Sequence, residues 1–499
     1  MTDEKNSVGL RILAIALVLG LLGDSLLRAT PWGINLALWI LMLGAFVAVL
    51  GRRSRALQGS GCWLLLPVLL GAVAIPWRDS LTLNLLSVLA ILVALALIVL
   101  RAQGGKILAA YLADYIVGGI IAWLNAVLGA FRLLIGDLPW RRMTTGTASS
   151  RTLAVMSGFV LALPLLLVFG GLLMSADAVF SAAVRKVLDI DFASFVSHMF
   201  LTAFFAWIAG GYLRGMVLGR EYEYTSWARR QWFSLGIVEI GIVLGLLNLL
   251  FLSFIIVQFR YFFGGTASIT LTPGLTYSEY ARRGFFELVM VAALVLPLLL
   301  LAHWLVDKEK PANERIFRVL AGTQIVFLFV IMASAFQRMR LYQREYGWTE
   351  QRLYPTAFMG WLAVVFIWFA LTVLRGRRQY FVFGAMVAGF LLIAALHVLN
   401  PDALIARVNL ARAQEGKRFD AWYAGALSGD ALPTLVAAIP GLGQQDRCLL
   451  ATRILDRWSR SEPPDWRTWN YARSRALETV QQNLLQLRSI ACPAGNRND

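Results

Sequence analysis

The sequence predicts an all-α fold, a polytopic transmembrane helical bundle of about eleven spans with a small C-terminal soluble helical domain. Three observations support this prediction. Hydrophobic residues make up 59% of the chain and charged residues only 15%, whereas a soluble domain is about 25% charged. The apolar residues form long runs almost free of charge, and each run approaches the roughly 20 residues that cross a hydrocarbon core. From residue 400 onwards the composition turns polar, and short helical stretches alternate with turn residues.

The apolar runs fall into two groups, which a long connection separates. A soluble core cannot bury so many apolar helices in series, so we interpret the runs as membrane spans. The trial spans are residues 8–27, 33–50, 62–77, 81–100, 152–174, 193–217, 233–258, 285–306, 317–336, 355–374 and 380–399. The predicted units are N-terminal transmembrane hairpins over 1–106, a cytoplasmic segment over 107–151, the main transmembrane bundle over 152–399 and a helical-hairpin domain over 400–499.

Residues 107–135 are apolar enough to be a further span. Crossing the membrane there would export the arginines between 141 and 151. We therefore predict an amphipathic or re-entrant helix at the cytoplasmic face, with Asp114, Asn125 and Arg132 turned towards water. A twelfth span is the alternative.

Arginine and lysine are concentrated in alternate loops, of which 52–55 and 375–378 are clear examples. The positive-inside rule places these loops and the N-terminus in the cytoplasm. An odd number of spans then places the C-terminal residues on the opposite side of the membrane.

Basic loops also account for the net charge of +17, and no soluble basic run with interleaved aromatic residues indicates binding to nucleic acid. The segment 337–354 violates the charge bias, because it holds four arginines on the outer side.

The polar C-terminal residues contain five stretches with helical spacing, joined by tight turns around Gly416, Pro440 and Pro463. They predict a compact bundle of helical hairpins. Cys448 and Cys492 both lie in it. In an oxidising periplasm the two residues are candidates for a disulfide, and in the cytoplasm they would be free thiols.

Two segments predict an outward-facing polar cluster. Glu279, Arg283 and Glu287 are four residues apart and share one helix face. The four arginines of the segment 337–354 complement these carboxylates or an anionic ligand. The alternatives are an interfacial anchor of aromatic residues and a structural network of salt bridges.

We predict that Glu279, Arg283 and Glu287 converge with Arg338, Arg340 and Arg344 on one polar pocket. The full cluster is Tyr277, Glu279, Tyr280, Arg282, Arg283, Glu287, Arg338, Arg340, Arg344, Glu345 and Arg352.

Ionisable residues within predicted spans are candidates for function, because a charge in hydrocarbon is costly without a partner. They are Asp24, His198, Glu239, His303 and His397. Glu239 is the best single candidate for an ion or proton role, and a hydrogen bond to a neighbouring helix is the alternative. The histidines lack the spacing of a helical zinc pair. The sequence predicts no metal, no cofactor and no assigned catalytic residue.

Four strings resemble a known family. They are Tyr277 to Leu288, Arg338 to Leu353, Asn400 to Ala403 and Leu427 to Ala431. In these strings the chain is similar to a family of bacterial polytopic membrane proteins catalogued as a domain of unknown function, numbers 4153 and 4173. The resemblance implies a multi-span bacterial membrane protein, and it implies no activity. We expect the protein to lie in the inner membrane.

The prediction for function is a binding or scaffold role in the bacterial cell envelope, which uses the outward polar cluster. The alternatives are a transporter or flippase, and a membrane-embedded transferase acting on a lipid-linked substrate. The predicted partners are the lipid bilayer and an anionic lipid or envelope polymer.

Overall fold

A computed structural model describes residues 2–138 except 53 and 55, parts of 158–188, and residues 192–219, 235–263, 277–306, 311–459 and 465–492. Within these ranges the chain is helical and contains no strand. The predicted all-α fold is therefore confirmed. The predicted span 152–174 lies mostly outside the described residues.

The structure gives both ends of seven α-helices in the first half of the chain. They are α1 (Thr2–Leu27), α2 (Ile34–Gly51), α3 (Leu65–Trp77), α4 (Leu81–Ala102), α5 (Leu112–Arg132), α6 (Ala178–Leu188) and α7 (Phe192–Leu218). A 3₁₀ turn, Gly59–Leu64, precedes α3, and a π-helical turn, Leu133–Asp137, follows α5.

The second half contains five long helices and then six short ones. The long helices are α8 (Ile237–Phe263), α9 (Tyr277–Leu305), α10 (Pro311–Tyr346), α11 (Glu350–Thr372) and α12 (Phe381–Leu399). The short helices are α13 (Pro401–Gln414), α14 (Ala421–Ala426), α15 (Leu432–Ala438), α16 (Gln444–Trp458), α17 (Tyr471–Gln482) and α18 (Leu484–Ile490). We call the short helices the tail. Five were predicted, and the sixth arises because the helix that begins at Tyr471 is interrupted at Asn483.

Ten helices in the described ranges are long and apolar enough to cross a membrane. Nine of them overlap predicted spans, and the tenth is Leu112–Asp137, for which we predicted an amphipathic or re-entrant helix. The prediction that Asp114 and Asn125 of this helix face water is wrong, because packing against neighbouring helices leaves them 3% and 8% exposed. The predicted span 62–77 is the shorter apolar segment Gly61–Trp77. The chain is therefore a multi-pass membrane protein.

The spans pack around two apolar cores. In the first core, α1 lies against α7, where Gly20 and Gly23 allow close contact with Ala206 and Phe205. In the second core, α8 and α9 pack against α10. Small residues at these contacts are typical of membrane helices, whose association depends on close packing.

The helices are apolar on their outer faces as well. In α4, Ala94 and Ile98 are fully buried, whereas Leu85 and Leu89 are 61% and 56% exposed. A soluble helix would carry polar residues at these exposed positions. Such a helix is stable when lipid, rather than water, covers its outer face.

The tail forms a third core and covers one end of the bundle. Asn400 ends α12 with φ +54°, a left-handed conformation that asparagine tolerates, and its side chain caps α13. The tail therefore folds back at once, and Leu83 of α4 and Leu353 of α11 join its core. We call this end of the bundle the tail side.

Candidate functional site at the junction of tail and spans

Two consecutive charged residues, Arg78 and Asp79, form the turn between α3 and α4 and fasten the tail. Arg78 Nη1 donates to Asp430 Oδ1 at 3.0 Å, and the two side chains are 11% and 2% exposed. Arg473 Nη2 donates to Asp79 Oδ1 at 2.8 Å. Asp430 also accepts the backbone N–H of Asp79, at 2.8 Å. Two crossed ion pairs thus join the turn to two separate parts of the tail.

In the tail, the turn 427–431 provides groups that bind Arg78 and Asp79. The N–H of Gly429 donates to Asp79 Oδ2 at 3.0 Å. A Cβ at Gly429 would lie 3.0 Å from the Trp458 ring and 3.1 Å from Asp79 Oδ2. The close approach of backbone to carboxylate therefore favours glycine at this position.

A second carboxyl pair lies beside the ion pairs. The carboxyl of Glu350, at the start of α11, is at hydrogen-bonding contact with that of Asp402 in α13. Asp402 is only 2% exposed. Its Oδ2 accepts the N–H of Ser428 at 3.3 Å, and its Oδ1 has no donor in the described part of the chain. Because a carboxylate cannot donate, this contact becomes a hydrogen bond only when one of the two groups carries a proton.

Burial governs the electrostatics of the tail's groups at this junction. Burial raises the pKa of Asp430, and the bonds from Asp79 N–H and Arg78 act against it. Burial also raises the pKa of Tyr423 to about 12, and its hydroxyl accepts the N–H of Glu350 at 2.8 Å. Tyr423 is therefore a neutral partner beside the carboxyl pair.

The junction site has more acidic than basic groups. It comprises Arg78, Asp79, Glu350, Asp402, Tyr423, Asp430 and Arg473. Among the described residues, no group of three or more His, Cys, Asp or Glu side chains is arranged to hold a metal ion. The arrangement can fasten the tail and hold a proton between two carboxyls.

The predicted outward polar cluster is only partly described. The backbone of Tyr277, Glu279, Tyr280, Arg282 and Arg283 belongs to α9, and their side chains lie outside the described residues. The two segments of the cluster do approach each other, because Arg338 Nη1 occupies the space that a Cβ at Gly284 would fill. Glu287 is exposed.

The described arginines of the cluster have separate partners. Arg338 donates to Gln258 Oε1 at 2.6 Å. Arg352 stacks on Tyr342, 4.1 Å from the ring centroid, and donates to the carbonyls of Tyr346 and Gly347. Arg340, Arg344 and Glu345 are exposed. Convergence of the whole cluster on one pocket stays a prediction.

The structure brings two of the ionisable span residues together. His198 Nδ1 lies 2.5 Å from Asp24 Oδ2, so a hydrogen bond between these two side chains joins α7 to α1. Arg28 donates to Asp24 Oδ1 at 2.8 Å and to Ser197 Oγ at 3.1 Å. Sequence spacing gave no sign of this contact, because 174 residues separate the partners.

The other ionisable span residues lie apart from one another. His303 Nδ1 is 3.3 Å from Arg378 Nη1, and His397 Nε2 is 2.8 Å from Ser87 Oγ. Glu239 is exposed in the first turn of α8, at the end opposite the tail.

Cys448 and Cys492 are joined as a disulfide, with Cα atoms 5.0 Å apart. The bridge connects α16 to the residues after α18 and thereby closes the tail. Its presence in the cell stays a prediction.

Sequence reasoning missed Arg78, Asp79, Arg473 and Glu350 as site residues. The available signal was the Arg78–Asp79 pair, which lies in a very short turn between two apolar helices where charges need partners. Asp402 and Asp430 lie in strings that carry the family resemblance.

Comparison with known proteins gives a family and no activity. The family described as Domain of unknown function (DUF4153) matches residues 65–438, which is more than half of the chain and includes most of the junction site. Neither a curated protein nor a solved structure matches the chain. The chain therefore belongs to the DUF4153 family of domains of unknown function.

Proposed function

We propose that this protein is a binding or scaffold protein of a bacterial inner membrane, and that it binds a phosphate-bearing envelope component on its tail side. The proposed ligand chemistry is the phosphate of an anionic lipid or of an envelope polymer. Cationic side chains from α10 and from the tail would bind it, and we call them the basic surface. They are the exposed Arg340, Arg344, Lys417 and Arg418 and the half-buried Arg412.

The observation that carries the proposal is the contact between α10 and α13. Arg412 Nη2 donates to the carbonyl oxygens of Arg344 and Glu345, both at 2.9 Å. The tail therefore brings its own cationic residues beside those of α10. Guanidinium groups suit phosphate because they donate two parallel hydrogen bonds.

The length of α10 supports exposure of this surface to water. The helix has 36 residues, and at about 1.5 Å per residue it is longer than a hydrocarbon core of about 30 Å. Its last turns therefore extend into the headgroup layer or beyond. Arg340 and Arg344 lie in these turns.

Charge bias supports the orientation that this function requires. Arg52 and the basic residues of 375–378 lie at the bundle end opposite the tail, next to the C-terminal ends of α2 and α11. The positive-inside rule assigns that end to the cytoplasm and the tail to the periplasm.

Contacts at both ends of α5 support the re-entrant alternative for that helix. Before α5, Tyr111 lies beneath the Arg378 guanidinium, 4.8 Å from the ring centroid. After α5, Asp137 Oδ2 accepts from Arg214 Nε at 2.8 Å. Arg378 precedes α12 and Arg214 is near the end of α7, both at the end of the bundle opposite the tail.

Binding to the protein in nanodiscs tests the proposal, with inorganic polyphosphate as the soluble probe. Each charged hydrogen bond contributes about 1.5 kcal/mol or more, so Arg340→Gln with Arg344→Gln should weaken binding by about tenfold or more. Arg375→Gln with Arg377→Gln is the matched control, because both residues are exposed at the opposite end. Equal losses in the two variants, or no loss in either, would contradict the proposal.

Phosphatidylglycerol in the nanodisc distinguishes the two sources of phosphate. If the lipid headgroup is the ligand, adding this lipid should compete with polyphosphate in the wild-type chain and not in the Arg340 and Arg344 variant. If a polymer is the ligand, phosphatidylglycerol should compete weakly.

A membrane-embedded transferase is the second candidate, and the contact of Asp24 with His198 favours it. A carboxylate at one imidazole nitrogen orients the other nitrogen for proton transfer. Mass spectrometry of envelope lipids tests this role in cells that lack the chain. Lipids restored equally by the wild-type chain and by His198→Gln would exclude it.

A further inference from the structure

A short segment of the tail, residues 465–471, is held against the ends of three spans. Arg467 Nη1 donates to the carbonyl of Ser25 in α1 at 2.6 Å. The carbonyl of Trp469 accepts the N–H of Ile34, at the start of α2, at 2.8 Å. Asn470 Nδ2 donates to the carbonyl of Ile75 in α3 at 3.0 Å.

These bonds place the segment at the depth where the spans end. Ser25 lies within the apolar span Ser7–Leu27, two residues before its end, and Ile34 is the first residue of the span Ile34–Gly51. At about 1.5 Å per residue, Ser25 is only about 3 Å from the end of its span. The segment therefore lies beside the membrane boundary rather than above it in water.

The segment exposes large aromatic side chains at this depth. Trp466, Trp469 and Tyr471 are 63%, 45% and 46% exposed. Two tryptophans of the adjoining span ends, Trp32 and Trp77, are 49% and 38% exposed. Aromatic rings with one polar group favour the layer between headgroups and acyl chains, where the ring leaves water and its N–H or O–H stays hydrated.

The charges of the segment are compatible with that layer. Arg467 Nη2 pairs with Asp465 Oδ2 at 2.6 Å, so the two charges compensate each other. The Asp465 side chain also caps the 3₁₀ turn Trp466–Thr468. The cap holds the turn that contains Trp466, and Trp469 follows this turn directly.

We propose that residues 465–471 are a membrane-interface segment, whose Trp466 and Trp469 insert into the headgroup layer of the leaflet on the tail side. The occupant of this aromatic surface is lipid, because the surface continues the aromatic belt formed by the adjacent span ends. The tail is then attached to the membrane through its own residues as well as through the spans. This inference does not depend on the phosphate ligand proposed above.

Fluorescence in nanodiscs tests the inference, with lipids whose acyl chains are either plain or brominated near the carbonyl. Subtracting the emission of the double variant Trp466→Phe with Trp469→Phe from that of the wild-type chain leaves the emission of these two tryptophans. We call it the difference emission. We expect brominated lipid to abolish most of this difference. Aqueous iodide should affect it little.

The matched control adds Leu485→Trp to that double variant. Leu485 is 84% exposed on α18, which packs against α16 and α17. Its tryptophan emission should resist brominated lipid and be quenched by iodide.

A difference emission equal in plain and brominated lipid would overturn the proposal. Strong iodide quenching would then show a surface in water, and protection from both quenchers would show that a second copy of the chain covers it. If the double variant does not fold, a nitroxide at Trp466→Cys in a Cys62→Ser chain replaces it. If this nitroxide collides faster with a water-soluble nickel chelate than with oxygen, it lies in water and the proposal is rejected.

Discussion

Arg78 and Asp430 form an ion pair across 352 residues of sequence, with both side chains almost withdrawn from solvent. Arg78 lies between the apolar helices α3 and α4, and Asp430 lies in a turn of the tail. Arg78 Nε also donates to the carbonyl of His397, at 2.9 Å. One guanidinium thus connects the first group of spans, the last span and the tail.

Arg78→Gln should therefore destabilise the attachment of the tail strongly. Removing one member of a buried ion pair leaves the other charge without compensation, which costs about 3–5 kcal/mol. Two quantities are measured in detergent. They are the free energy of unfolding and the rate at which a protease cuts the tail. Asp430→Asn should cost a similar amount, and the two changes together should cost less than their sum.

Arg318→Gln is the control for the loss of an arginine. Arg318 pairs with Glu314 at 2.7 Å one helical turn away, with side chains 43% and 38% exposed. Such an exposed pair contributes about 0.3–0.5 kcal/mol. The importance assigned to Arg78 would be wrong if both substitutions had the same small effect.

The spans were predictable from sequence because lipid imposes a simple length and composition on them. The predicted span 233–258 corresponds to Ile237–Gln258 of α8, for example, and 380–399 corresponds to α12. Boundaries and short helices shifted, as at Asn483, where the predicted helix 471–487 is interrupted. The segment Leu112–Asp137 also proved long and apolar enough to cross a membrane.

The junction site was not predictable in the same way, because its contacts depend on how the tail folds back. Arg78 and Asp79 resemble ordinary turn residues in the sequence, and their partners Asp430 and Arg473 are hundreds of residues away. Charge complementarity suggested a cluster around Arg338 and Arg352. In the structure the guanidinium of Arg352 instead binds nearby carbonyls and Tyr342, contacts that composition cannot reveal.

The contact of Glu350 with Asp402 predicts that attachment of the tail weakens as the pH rises. Two carboxylates in contact and out of water repel each other, so the folded pair retains a proton that the unfolded chain releases more readily. The folded state then binds more protons, and its stability falls as the pH increases. Hydrogen exchange of the backbone in α13 and α14, corrected for intrinsic rates, should show less protection at alkaline than at mildly acid pH.

Glu350→Gln should remove this dependence, because an amide donates a hydrogen bond to Asp402 at every pH. Glu345→Gln is the matched control, since Glu345 is exposed at the end of α10, and it should leave the dependence intact. The shared proton is disproved if the Glu350 variant keeps the wild-type dependence on pH. Tyr354 and Asp430 also interact electrostatically with this carboxyl pair, and Arg352 interacts with the neighbouring Tyr423.

The pair Cys448 and Cys492 predicts an oxidised tail in the native membrane. Their Cα separation of 5.0 Å suits a disulfide, for which about 4.4–6.8 Å is usual. Alkylation of denatured protein without a reductant should modify Cys62 and leave the other two unmodified. Cys492→Ser should lower the stability of the tail by about 2–4 kcal/mol. Modification of all three cysteines before reduction would show that the bridge is absent and would favour a cytoplasmic tail.

The contacts of α5 predict that the chain enters and leaves this helix on the same side of the membrane. Lys106 precedes the helix and Ser150 lies after it, so single cysteines at Lys106→Cys and Ser150→Cys report the two sides. In intact cells neither should react with a maleimide that cannot cross the membrane, and both should react once the membrane is opened. Gln414→Cys, exposed at the end of α13, is the control and should react in intact cells. If Ser150→Cys also reacts in intact cells, α5 crosses the membrane and the arginines between 141 and 151 lie outside, against the charge bias.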